Sequence, residues 1–329
     1  MKKASVKSPA NIALIKYWGK TDSRWRIPAN SSISMCLSEM FSTCTIEFQS
    51  QLSADDIKFE GEPVVKPLEL DRISKVLDRV RTEFAIDQYA RVVTKNNFPK
   101  GVGIASSASG LSAITMAAVA AAGQSLSTKE LSKMSRLASG TACRSIPDGF
   151  VEWIKGSDHD SSYGVSIFPA DHWQICDVIA IVQNTMKKVS STNGHEIAPS
   201  SPFYQVRLSG LDQKISDLKT AIKQRDFSKF GQIIEAEALN MHAVCLTSNP
   251  SLIYIGDTTL NLMKHIMTWR DSIQLESYFT IDAGPTIHAF CKLEDSERLK
   301  EQISQVPGVE RVVINHPSNG AQLIDQHLF

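Results

Sequence analysis

The segment Pro99-Lys100-Gly101-Val102-Gly103-Ile104-Ala105-Ser106-Ser107-Ala108 joins a glycine-rich turn to two hydroxyls and the start of a helical run. Glycines let backbone N–H groups approach an anion closely, and a helix start adds unpaired donors and partial positive charge. The segment therefore suits a phosphate, with Ser106 and Ser107 available to it or to a magnesium ion. A tight turn with serine caps explains the same residues, and the loop alone does not separate the two. Two familiar phosphate motifs fail here. No Gly-Lys-Ser/Thr follows the second glycine, and Ser106 stands where a dinucleotide fingerprint needs its third glycine. The eight histidines show no HExxH or paired ligand spacing, which argues against a transition-metal site.

Around that turn the chain alternates helical and extended patterns. Phe41 to Gln49 places Cys44, Ile46 and Phe48 on one face, predicting a half-buried strand. Asp71 to Phe84 has helical spacing, Arg91 to Thr94 is a short strand, and a helix follows from about Ser107 to Ala122, closed by Gly123. Ser127-Thr128 with Glu130 opens another helix. Beyond Trp173 come an apolar strand (Asp177 to Val182), a polar loop (Lys187 to Ser201) and helices at 210–224, 228–242 and 257–270. Strands at Tyr278–Ile281 and Thr286–Lys292, a helix at 295–304 and a strand at 310–314 complete the pattern. The mixture predicts an α+β fold with two lobes, divided near residue 176.

At 329 residues the chain exceeds what one core usually fills. Thirty-five basic and 35 acidic residues balance, so bulk charge supports neither a nucleic-acid coat nor a membrane-surface protein. The start lacks an apolar signal core, and the most apolar stretch, Ala113 to Gly123, is far short of a membrane span. Six scattered cysteines without CxxC spacing read as reduced, mostly buried thiols of a cytoplasmic protein.

The pattern Pro-x3-Gly-x-x-Ser-Ser-Ala resembles the ATP loop of the GHMP kinase superfamily. Further segments resemble the diphosphomevalonate decarboxylase family within it: Asn11 to Lys20, Pro28 to Ser34, Ser139 to Ser145 with Gly149 to Trp153, Val189 to Thr192, Met241 to Leu246, and Thr280-Ile-Asp-Ala-Gly-Pro285. They occur in family order from residue 4 to about 290. The resemblance implies a two-lobed GHMP kinase-like fold with the site between lobes 1–176 and 177–329. It also implies a homodimer with ATP and Mg2+ as cofactors, acting on (R)-5-diphosphomevalonate. ATP phosphorylates the tertiary 3-hydroxyl; phosphate and carbon dioxide then leave, and isopentenyl diphosphate remains.

On this resemblance Asp282 orients or deprotonates the 3-hydroxyl, Arg144 clamps the substrate carboxylate with a fork that lysine cannot copy, and Lys16 stands near both the aspartate and the reacting oxygen. Asn11, Tyr17, Trp18, Gly19, Lys20, Arg72, Ser139, Gly140, Thr141, Ala142, Cys143 and Thr192 fall on the substrate side, and Gly101, Gly103, Ser106 and Ser107 on the ATP side. Without it, Asp282 reads as an Asx-type turn, Arg144 and Arg72 as surface charges, Lys16 and Lys20 as solvated charges of an amphipathic segment, and the hydroxyls as caps. The chain departs from the family pattern at Pro147-Asp148, at Thr286, at His195 and, with its hydroxyl kept, at Thr141. These departures bear on the choice among mevalonate 5-diphosphate, its 5-phosphate and mevalonate itself.

Overall fold

The computed structural model describes residues 2–61, 67–98, 106–182 and 191–329, so the glycine-rich turn, including Gly101 and Gly103, lies outside the described residues. Strand β1 (Ala4–Ile15) is buried at every position but Lys7. Ala4 and Val6 join one core, while Ala10, Ile12, Leu14 and Ile15 join another, so the strand runs between two apolar layers. After it comes a small hairpin, β2 (Lys20–Asp22) with β3 (Ile27–Pro28). The long β4 (Ser32–Gln49) pairs antiparallel with β1, broken by irregularities between Pro9 and Asn11 and between Ala13 and Ile15. Its other edge takes β6 (Tyr89–Asn96), which carries the parallel β5 (Asp56–Phe59). β7 (Phe150–Trp153) pairs with the start of β4 and with β8 (Gly164–Phe168).

Helices α1 (Pro67–Phe84), α2 (Ser106–Ala121) and α3 (Thr128–Ala138) cover this sheet. Ile73, Val76, Leu77 and Val80 of α1 meet Leu111, Ile114 and Ala118 of α2 and Cys44, Ile46 and Phe48 of β4 in one core. The expected apolar face of β4 and periodic face of α1 are both present. α3 begins with a capping box in which Ser127 and Glu130 satisfy each other's backbone N–H groups.

The second lobe is an antiparallel sheet in the order β10 (Ser277–Ile281), β11 (Ile287–Lys292), β9 (Ile175–Val182), β12 (Val309–Asn315). α8 (Asp257–Ser272) and α9 (Ser296–Ser304) pack Leu262, Ile266, Leu299 and Ile303 on one face against Val178, Phe279 and Ala289. On the other face, Ile179, Tyr278 and Phe290 share a core with α6 (Leu211–Gln224), α7 (Phe227–Thr247) and the Ile12–Leu14 stretch of β1. The lobes thus meet through β1, and the last strand, β13 (Gln322–Ile324), returns to pair with β1 in the first sheet.

Two expectations need correction. The polar stretch expected as a loop from 187 to 201 is helical over its described part, as α4 (Ser191–Ile197) and a 3-10 turn at Ala198–Ser200. Its sequence lacks an apolar face of its own, and packing on Trp18 and Tyr17 decides the conformation. The helix expected to end at 242 runs to Thr247. All six cysteines are buried and free. Among the described residues no helix is long and apolar enough to cross a membrane.

Candidate active site

β1 ends at Ile15, and the next side chain, Lys16, is buried with 1% exposure. A solvated charge is therefore not what the structure holds. Its Nζ donates to the Ala13 carbonyl at 2.7 Å and to Asp282 Oδ1 at 2.6 Å, from the first lobe to the second. Asp282 directly follows β10 in a tight turn: Gly284 N donates to the Asp282 carbonyl at 2.7 Å, and Thr259 of α8 donates to the Pro285 carbonyl at 2.7 Å. The Asp282 side chain keeps 23% exposure, enough for a ligand to reach it. Burial pushes its carboxyl up, but the charge and hydrogen bond of Lys16, with smaller help from His288 and Arg144, outweigh that and hold it below the ordinary range. The pair is thus a carboxylate against an ammonium, and burial loosens the Lys16 proton against the pull of Asp282 and Glu237. Such a carboxylate can accept a hydroxyl proton.

Arg144 closes the 3-10 turn Gly140–Arg144 and is 2% exposed. Nη1 donates to Ser32 Oγ at 2.6 Å and Nε to Asn11 Oδ1 at 3.3 Å. Asn11 in turn donates to Ser145 Oγ at 2.9 Å and to the Thr141 carbonyl at 3.3 Å, fixing the turn to β1. Among the described residues no carboxylate lies within ion-pair distance of Arg144, although the charge of Asp282 reaches it. A surface ion pair is excluded. A buried guanidinium without a carboxylate is costly unless an anion completes it.

Beside this pair, Tyr17 lies between Trp153 (ring centroids 4.6 Å) and His195 of α4 (4.0 Å, stacked). Gly19, at φ +100°, presents its N–H to His195 Nδ1 at 3.0 Å, and a Cβ there would sit 1.9 Å from the Tyr204 hydroxyl. Gly194 lies so close to Trp18 that a Cβ would come within 2.6 Å of the indole. Burial, then the charges of Lys20, Arg144, Arg26 and Arg207, push His195 down to about 3, so it is neutral and acts as an acceptor. Lys20 pairs with Glu196 at 3.3 Å, and Arg26 feels the charges of Tyr17 and of Arg72, half-buried on α1.

Trp18, Gly140, Ala142 and Cys143 are buried. Ser139, Thr141 and Thr192 are half-buried. Ser106 and Ser107 open α2, with Ser107 exposed at its N-terminus, where helix donors are unpaired. Asp148 turns away from Arg144: its Oδ1 accepts from Gly320 N at 2.6 Å. Thr286 is buried. Sequence reasoning missed Ser32 as the partner of Arg144, Asn30, which donates to the Lys16 carbonyl at 2.9 Å, and the His195 stack. Ser32 and Asn30 lie within the quoted Pro28–Ser34 segment, which was the available signal. His242 of α7 is buried, and burial pushes it down to about 4.

Two α+β lobes joined over a lysine–aspartate bridge place the molecule in the GHMP kinase fold class. Residues 8–164 match the diphosphomevalonate decarboxylase-like N-terminal domain and residues 177–322 the mevalonate 5-diphosphate decarboxylase C-terminal domain. The chain belongs to the diphosphomevalonate decarboxylase family. It is 32% identical over 330 residues to the diphosphomevalonate decarboxylase of Candida albicans, covering 94% of this chain and 90% of that one. It is 31% identical to the enzyme of Saccharomyces cerevisiae, covering 90% and 79%. The crystal structure of mevalonate diphosphate decarboxylase from Staphylococcus aureus superposes with a TM-score of 0.92 at 33% identity, covering 98% of each chain. The structure of MDDEF in complex with MVAPP, AMPPCP and magnesium gives the same TM-score and identity, covering 98% of this chain and 99% of that one.

Proposed function

We propose that this protein carries out the ATP-dependent decarboxylation of (R)-5-diphosphomevalonate to isopentenyl diphosphate, with release of carbon dioxide, ADP and phosphate, in the mevalonate route to isoprenoids. The observation that carries the reading is Arg144, a buried cation without a carboxylate partner among the described residues, electrostatically coupled to Asp282 of the opposite lobe. A kinase acting on an alcohol needs only the aspartate. A guanidinium kept dry beside it calls for a carboxylate ligand, the group this reaction removes.

Asp282, held as a carboxylate by Lys16, accepts the 3-hydroxyl proton as the oxygen takes the γ-phosphoryl group. Lys16 keeps the aspartate aimed and offsets the negative charge gathering at that oxygen. Arg144, steadied by Ser32 and Asn11, holds the carboxylate until the carbon–carbon bond breaks. The electron pair of that bond then forms the alkene as phosphate leaves. Tyr17, Lys20 and Arg72 face the diphosphate, and Asn11, Ser139, Thr141 and Thr192 add polar contacts, while Trp18, Gly19, Gly140, Ala142 and Cys143 shape the wall. The described residues include no cluster of three or more His, Cys, Asp or Glu side chains able to hold a metal, so magnesium fits here as the ATP complex, held through phosphate with Ser106 or Ser107. When bound, it neutralises phosphate charge. We place the division between lobes at residue 176 and read the protein as a cytoplasmic homodimer.

The test is a panel of mevalonate, its 5-phosphate and its 5-diphosphate, scored for ADP and carbon dioxide together. Equimolar release with the diphosphate supports the reading. ADP without carbon dioxide would identify a plain kinase, and preference for the monophosphate would move the substrate assignment.

A further inference from the structure

Lys16 is gripped from the second lobe by groups that the chemistry above does not use. Arg207 of α5 (Tyr204–Ser209) donates from Nη2 to the Lys16 carbonyl at 2.8 Å and to Glu237 Oε1 of α7 at 2.5 Å. The second oxygen of Glu237 accepts from Lys214 of α6 at 3.0 Å. The Glu237 side chain is fully buried and that of Arg207 is 2% exposed, while Lys214 keeps 27%. Three helices of one lobe therefore converge, through one guanidinium, on the backbone of the other lobe's reactive lysine. The same carbonyl also takes Asn30 Nδ2 at 2.9 Å, so both of its acceptor directions are used.

As a device for stability this is poorly made. Among the described residues Arg207 Nε and Nη1 find no partners in their buried setting, and each unpaired donor is costly. Buried ion pairs are commonly matched or bettered by apolar residues of similar volume. What an apolar pair cannot supply is a donor to the Lys16 carbonyl.

We infer that Arg207, anchored by Glu237, is a positioning residue for the reaction: it fixes the end of β1 across the lobe interface so that Lys16 Nζ meets Asp282 in register. This rests on the role given to Lys16 above. The backbone at Lys16 has only one peptide between it and the substrate-side run Tyr17 to Lys20, so a slip there moves lysine and substrate together. The negative charge of Glu237 also reaches Lys16 and favours its protonated form, alongside Asp282 and against Arg144.

The test is the double variant Arg207→Met/Glu237→Leu, which removes both buried charges and the carbonyl donor without leaving either ion alone, while Lys214, 27% exposed, is free to turn to water. Displacements near 1 Å commonly cost about a hundredfold in rate. We expect kcat to fall roughly ten- to a hundredfold, KM for diphosphomevalonate to stay within about threefold, and the thermal midpoint to hold or rise. Arg207→Lys, which restores a charged donor, recovers part of kcat. A folded double variant with wild-type kcat overturns the inference, as does a loss of kcat that tracks a fall in thermal midpoint in both variants. Should the double variant not fold, Arg207→Lys and Glu237→Gln are read by the same kcat-against-KM split. Lys16→Met is run beside them. If it turns over normally, the reading of Lys16 fails rather than the brace; if it is dead while the double variant is unimpaired, the brace fails alone.

Discussion

Replacing Arg144 by methionine should separate function from folding. Methionine approximates the length of the side chain and removes the charge, the fork and the bonds to Ser32 Oγ (2.6 Å) and Asn11 Oδ1 (3.3 Å). Two charge-assisted hydrogen bonds to the substrate carboxylate are lost, at roughly 1.5–3 kcal/mol each. Their sum, roughly 3–6 kcal/mol, corresponds to a loss of roughly 10²–10⁴-fold in kcat/KM. For the free protein the balance differs. Removing a buried cation with no carboxylate partner among the described residues relieves its desolvation cost, which the stranded Ser32 and Asn11 oxygens offset at roughly 1–3 kcal/mol each. The thermal midpoint should therefore stay within about 5 °C of wild type. The assay couples ADP release to trapped carbon dioxide with the diphosphate, beside a thermal melt of the unliganded protein. Arg144→Lys keeps charge without the fork and should recover little. Near-native kcat/KM in Arg144→Lys would refute the clamp, and a collapsed melt for Arg144→Met would make Arg144 a structural residue.

Asp282→Asn should keep substrate affinity within a few-fold while turnover falls about 10²–10⁴-fold, measured by initial rates and by equilibrium binding; turnover close to wild type would remove Asp282 from the chemistry. Because Asp282 is held below the ordinary carboxylate range, its contribution to stability is present above the unfolded value of about 3.9 and is lost only as pH falls through the lower folded value. Carboxyl NMR of the protein, assigned with the Asn variant, should show no step for this group above about pH 4. His195→Gln should leave the shape of the kcat/KM profile between about pH 6 and 9 unchanged, since the imidazole is already neutral there; a lost inflection would contradict its value of about 3. Gly19→Ala should lower the melting midpoint by several degrees, about 2 kcal/mol or more, because φ +100° and the Tyr204 hydroxyl both oppose a Cβ; an unchanged melt would show that the turn relaxes freely.

What could be read from the chain alone follows from where each element's neighbours lie. α1 and the outer half of β4 carry one buried and one wet face, and their periodicity is visible in the residues. β1 is covered on both sides, so alternation disappears and the segment around Lys16 suggested a solvated surface where the structure has a bridge between lobes. α4 is helical because Gly194 and His195 rest on Trp18 and Tyr17, partners about 175 positions earlier that no local pattern reveals. The motifs around Asp282, Arg144 and Lys16 were legible as family segments, yet their local chemistry is that of a turn, a helix end and a charged strand. Arg207 and Glu237 had no such signal, since an arginine and a glutamate within helices look like any others.

The pairing of β13 with β1 has an implication for how the enzyme matures. Residues 315–324 do more than add an edge strand: Ser318 bonds the backbone at Cys36 and Gly149, Gly320 bonds Asp148, and Ala321 N donates to the Ser145 carbonyl at 2.9 Å, immediately behind Arg144. The turn that aims the guanidinium is thus finished by a segment that follows the whole second-lobe sheet in the sequence. A nascent chain emerging from the ribosome, even with the first lobe's helices and long strands in place, would lack that backing until the strands of the second lobe have been made, so catalytic competence does not arrive lobe by lobe.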